Sequence, residues 1–137
     1  MDATYTAVAT SSGRDSRAVS SDGRLDVDLA LPKALGGTGE GTNPEQLLAA
    51  GWAACFSTVM GLIAQSKGLD ASDVAVTAEV SLVPNGGGGF VLAATLRVEM
   101  PDHLTDAERR MLLDATHRAC PYSAATRGNI AVELVLE

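Results

Sequence analysis

Residues 42–68, TNPEQLLAAGWAACFSTVMGLIAQSKG, constrain the fold more than any other stretch. Either Thr42 caps a helix with Glu45 at its third position, or Asn43 caps it with Pro44 at its first. Both arrangements put Glu45 in the first turn, where a carboxylate suits the helix dipole. Gly68 closes the segment. Leu47, Leu48, Ala50, Gly51, Ala54, Cys55, Val59, Leu62 and Ile63 cover most of the circumference, which predicts a helix buried nearly all round. Ala49, Ala50, Gly51, Ala53 and Ala54 leave room for a second backbone. The apolar run over 47–64 is interrupted by Gly, Ser and Thr and reads as too short to span a bilayer. The opening MDATYTAVAT has no basic stretch before a long apolar run, so no signal peptide is expected. These features predict a cytoplasmic protein without a membrane partner.

The rest of the chain reads as α+β. Residues 4–9, 17–20 and 24–31 alternate apolar and polar as half-buried strands do, and SSDG at 20–23 suits a tight hairpin turn. Residues 74–83 and 90–99 form a second strand pair across PNGGGG, and IAVELVLE is a last strand. LTDAERRMLLDATHRAC is a second helix, with Thr105 and Glu108 spaced as a capping box. The 137 residues fit one domain. A net charge of −7 argues against nucleic acid as a partner. The four glycines at 86–89 lack the Lys-Ser/Thr of a phosphate loop and join two strands.

Two cysteines carry the chemistry. Neither they nor His103 and His117 have the short spacing of a metal site, so no metal is expected. In a reducing compartment such a pair serves redox chemistry or metal binding more often than a structural disulfide. Cys55 lies in the buried helix. Cys120 precedes Pro121, which disfavours α geometry there; the helix should stop, or Cys120 should cap a short following helix with Pro121 at its first position. That pattern reads as a buried thiol, Cys55, beside a mobile one, Cys120.

TNPEQLLAAGWAACF, ACPYSAATRGN and the amino-terminal GRDSRAVSSDGRLDVDLALPKALGGTGEGTNPEQ together resemble the organic hydroperoxide resistance branch of the OsmC family, along essentially the whole chain. The resemblance implies an OsmC-like α+β fold: antiparallel sheets packed around two main helices, in an intertwined homodimer. It implies a thiol peroxidase that reduces organic hydroperoxides, needs no metal or haem, and is recycled by a lipoylated protein or another dithiol such as dihydrolipoamide. By motif, Cys55 resembles the peroxidatic cysteine, Cys120 the resolving one, Arg14 the catalytic arginine and Glu45 its carboxylate partner. Arg127 is expected to be structural. Leu48, Trp52 and Ser57 stand where many relatives have Phe, Tyr and His, and are read as shaping the substrate channel.

The physical chemistry fits these roles. An ordinary thiol is only about 3% thiolate at pH 7, and burial lowers that fraction. A buried arginine keeps its charge and can restore the thiolate. Ten residues of uninterrupted helix between Glu45 and Cys55 correspond to about 15 Å of rise, so the resemblance to a single four-residue site implies residues from two subunits. The other readings are a glutaredoxin-like transferase, from CPYS, an OsmC-type peroxidase with another peroxide preference, and a non-enzymatic binder of lipid-like ligands.

Overall fold

In the computed structural model, which describes residues 2–137, the chain forms two compact units divided between Leu47 and Leu48. The amino-terminal unit is a three-stranded antiparallel sheet in the order β1 (Ala9–Ser12), β2 (Arg17–Ser20), β3 (Asp26–Asp28). A 3-10 turn at Lys33–Leu35 follows, and Leu29 bridges to Thr42. The first strand is thus displaced from the expected 4–9. Alternation in TYTAVA is real, but Tyr5 is 81% exposed, and the residues that pair with β2 begin at Ala9. The strand expected over 24–31 is regular only at 26–28. The turn before it is wider than a two-residue hairpin: Val19 is opposite Asp26, Ser20 accepts from Gly23, and Gly23 takes φ +74°.

The second unit contains the long helix α1 (Pro44–Ser66) beyond its first turn, the hairpin β4 (Ala75–Pro84) and β5 (Phe90–Glu99), the helices α2 (Asp106–Ala119) and α3 (Pro121–Thr126), and β6 (Ala131–Leu136). Asn43 caps α1 through its side-chain oxygen, which accepts from the Gln46 N–H at 2.9 Å. That settles the choice between the two caps and leaves the Glu45 carboxylate outside a capping box. Thr105 and Glu108 close the expected box on α2. The tip between β4 and β5 is ordered by Asn85, whose side-chain oxygen accepts from Gly87 and Gly89.

The sheet order is β4-β5-β6, with β4 antiparallel and β6 parallel to β5. The expectation of antiparallel sheets throughout fails at β6. Two helices lie between β5 and β6 in the chain, and a crossover of that length returns a strand in the same direction.

Ala94, Leu96 and Val98 of β5 face the core, together with Trp52, Phe56, Met60 and Ala64 of α1 and Leu112 and Leu113 of α2. The α1 residues recur every four positions and form one stripe. The helix is therefore not buried all round within the chain. Ala50, Ala54, Thr58 and Leu62 lie on an exposed side, and Leu62 is 63% exposed. At 23 residues α1 is also long and apolar enough to cross a membrane, which corrects the reading of the run as too short. Its buried stripe instead forms the centre of a protein core.

Candidate active site

The structure brings Cys55 and Cys120 together. Their sulfurs are 3.7 Å apart, and both thiols are free. A disulfide bond is about 2.05 Å long, so closure requires the sulfurs to approach by less than 2 Å. Sixty-five residues of chain separate the pair.

Two elements set this geometry. Cys55 opens the fourth turn of α1, on the border of the buried stripe, and is half-buried. Cys120 ends α2 and begins α3. Its ψ of 123° is the extended geometry that the following proline requires. Its N–H donates to the Thr116 carbonyl at 2.8 Å, and its carbonyl accepts from the Ala124 N–H at 2.9 Å. Held on both sides, Cys120 is 0% exposed. The expected division into a buried Cys55 and a mobile Cys120 is thus reversed: the thiol at the helix break is the deep one, and Cys55 has solvent contact.

Burial pushes the Cys55 thiol up, and the adjacent Cys120 sulfur pushes it in the same direction. The backbone N–H of Tyr122 opposes both, since a donor directed at sulfur favours the thiolate. Mid-helix placement denies Cys55 the dipole of its own helix; the Tyr122 backbone in the first turn of α3 acts in the favourable direction instead. No short-range spacing in the sequence signals that contact. It arises because Tyr122 packs over α1, its ring centroid 6.3 Å from that of Trp52. A Cβ on Gly51 would lie 2.7 Å from the Tyr122 hydroxyl oxygen.

Arg14 and Glu45 belong to the amino-terminal unit. Arg14 stands in the loop between β1 and β2, its N–H donating to the Ser12 hydroxyl at 3.2 Å. Ser16 closes the loop with φ +47° and donates its N–H to the Ser12 carbonyl. Glu45 is in the first turn of α1. Neither takes part in an ion pair among the described residues. Of the three residues expected to shape a channel, Trp52 is fully buried in the core. Ser57 is half-buried and donates its hydroxyl to the Ala54 carbonyl, and Leu48 is half-buried. Among the described residues no cluster of His, Cys, Asp and Glu could hold a metal ion.

The family pattern of the OsmC-like proteins matches residues 37–135. The chain belongs to the OsmC family, in its organic hydroperoxide resistance branch. It is 48% identical to the organic hydroperoxide resistance protein of Xanthomonas axonopodis pv. citri, across 96% of this chain and 94% of that one. Among solved structures, the organic hydroperoxide resistance protein OsmC of Legionella pneumophila superposes with a TM-score of 0.92 at 41% identity, covering 99% of both chains. OhrB of Bacillus subtilis superposes with a TM-score of 0.86 at 42% identity, covering 98% of this chain and 100% of that one.

Proposed function

We propose that this protein protects against organic hydroperoxides as a cysteine-based peroxidase of the cytoplasm. The observation that carries the reading is the 3.7 Å approach of Cys55 and Cys120. The Cys55 thiolate attacks the outer peroxide oxygen. The O–O bond breaks, the alkoxide takes a proton and leaves as the alcohol, and Cys55 becomes a sulfenic acid. Cys120 then forms the S–S bond, its proton leaving with the sulfenic hydroxyl as water. An external dithiol of the lipoyl type restores both thiols and is itself oxidised to a disulfide.

Because burial raises the Cys55 thiol, the reaction needs a cation beside it. Arg14 is the residue proposed for that role, with Glu45 orienting the guanidinium. Lowering a thiol by about 3 units corresponds to roughly 4 kcal/mol of preference for the thiolate, within reach of a poorly solvated guanidinium and an amide donor. Assembly as a homodimer with composite sites fits the uncharged, small-residue side of α1 that carries Ala50, Ala54 and Leu62. An apolar channel at such a site would select alkyl and lipid peroxides over hydrogen peroxide.

The test is rapid mixing of the reduced protein with cumene hydroperoxide and, separately, with hydrogen peroxide. One equivalent of the organic peroxide consumed per active site, at least a hundred times faster than hydrogen peroxide, is the expected result. No consumption of either would reject the reading, and an inverted preference would place the protein with the OsmC-type peroxidases of other specificity.

A further inference from the structure

The two thiols are 3.7 Å apart where the chain turns at Cys120, and that turn is tied by a side chain seven residues further along the sequence. Arg127 donates from Nη2 to the carbonyl oxygen of His117 at 2.6 Å. His117 is in the last turn of α2, where carbonyls lack partners within the helix. The Arg127 backbone N–H donates at the same time to the Ser123 carbonyl at 3.0 Å, which ends α3. One residue therefore closes the carboxyl ends of both helices, and residues 117–127 form a ring with Cys120 inside it. A guanidinium suits this position because it is planar, permanently charged, and favourable beside the negative end of a helix.

Bonds local to Cys120 fix its backbone on each side, but they do not fix the angle between α2 and α3. The two helices are joined there by a single non-helical residue, so the corner would hinge at Cys120. The Arg127 bond is the one that spans it, ten residues apart in sequence. Trp52 packing on Tyr122 holds α3 against α1; Arg127 holds α2 against α3.

We infer that Arg127 is a positioning residue for the second thiol: by tying the end of α2 to the end of α3 it holds Cys120 within closing distance of Cys55. The inference rests on the proposed Cys55–Cys120 disulfide, but the equilibrium between dithiol and disulfide can be read without any peroxide. In that exchange the two thiols are oxidised to the disulfide while oxidised dithiothreitol is reduced, with two protons and two electrons passing between them.

The experiment is a titration of the full-length protein in dithiothreitol buffers, scored by thiol alkylation and mass. Arg127→Gln is expected to lower the equilibrium constant for disulfide formation about tenfold, a shift of about 30 mV. Arg127→Lys, which keeps a charge and donor hydrogens but not the planar fork, should recover part of the difference. Thr105→Ala removes the cap at the other end of α2 and serves as the control: it should lower the melting temperature without moving the equilibrium. After one peroxide equivalent, Arg127→Gln should also show about a tenfold lower ratio of disulfide to sulfenic acid. An unchanged equilibrium constant in Arg127→Gln would overturn the inference, and so would an equal shift in Thr105→Ala, which would reduce the effect to general loss of helix stability. A wild-type protein that equilibrates normally with dithiothreitol but ignores organic peroxide would reject the proposed activity and leave the clamp standing.

Discussion

Gly51 and Tyr122 meet so closely that a single added carbon on Gly51 would stand 2.7 Å from the tyrosine hydroxyl oxygen, with ring carbons at 3.3 and 3.4 Å. Gly51→Ala must therefore tilt the ring, which packs against Trp52, and disturb the Tyr122 backbone whose influence favours the Cys55 thiolate. Overpacking of this kind costs about 1–3 kcal/mol. The expected outcome is a lower melting temperature together with a slower first peroxide step. A stable protein with unaltered Cys55 reactivity would show that the ring moves without disturbing its backbone. Tyr122→Phe should relieve the clash in the double variant and restore part of the loss.

The two cysteines should differ sharply on substitution. Cys55→Ser is expected to abolish peroxide turnover. Cys120→Ser should consume about one equivalent of peroxide and then stall as a sulfenic acid open to further oxidation. Dimedone trapping and intact mass distinguish the two. Full activity in Cys55→Ser, with no first step in Cys120→Ser, would reverse the assignment.

On the role proposed for Arg14, Arg14→Ala should shift the alkylation profile of Cys55 to higher pH, because burial raises the thiol and the proposed opposing charge is gone. Arg14→Lys should be slower than wild type, since lysine is more readily neutralised when buried. The proposed composite sites add a second outcome: inactive Arg14→Ala or Glu45→Ala chains mixed with inactive Cys55→Ser chains, under exchange, should regain one working site per heterodimer. A fully active monomer in sedimentation would contradict this.

His117 sets a pH dependence of stability. Burial, and next the neighbouring Arg127 charge, lower its pKa, while Asp114 acts weakly in the other direction. The folded protein then binds fewer protons than the unfolded chain as pH falls through the unfolded-state pKa, about 6.5. Stability is complete above that pH and is lost below it. Melting temperature should drop between pH 7.5 and 5.5, and His117→Gln should flatten that part of the curve. The Asp22, Asp26, Asp70 and Glu108 carboxyls, all held below their usual range, add their losses only at lower pH.

Much of the second unit was legible because its signals are local. The Thr105–Glu108 box, Pro121 and the alternation over 74–99 each declare themselves within a few residues, and each stands in the structure. What failed depended on partners. TYTAVA has the pattern of a strand, yet nothing in that pattern says which residues find β2 beside them. Apolar residues on every side of α1 do not say which side its own chain covers. A proline after Cys120 suggested freedom; hydrogen bonds to Thr116 and Ala124 remove it. The Cys55 and Cys120 sulfurs stand 3.7 Å apart as free thiols, and no residue spacing marks Tyr122 as their neighbour.

The parallel seating of β6 sets an order of events for the growing chain. Its first residue, Ala131, pairs with Ala93, thirty-eight positions earlier, so the sheet cannot be completed until both helices of the crossover have been made. Long-range parallel pairing is slow, because the entropy of closing the loop is lost before the contacts form. Cys120 lies in that crossover, whereas Cys55 belongs to a helix synthesised well before it. During synthesis the earlier thiol therefore waits alone, and the pair is assembled among the last steps of folding. A chain released short of residue 131 would carry both thiols yet lack the strand that anchors the crossover, so the approach of the two sulfurs reports that the carboxyl end has arrived.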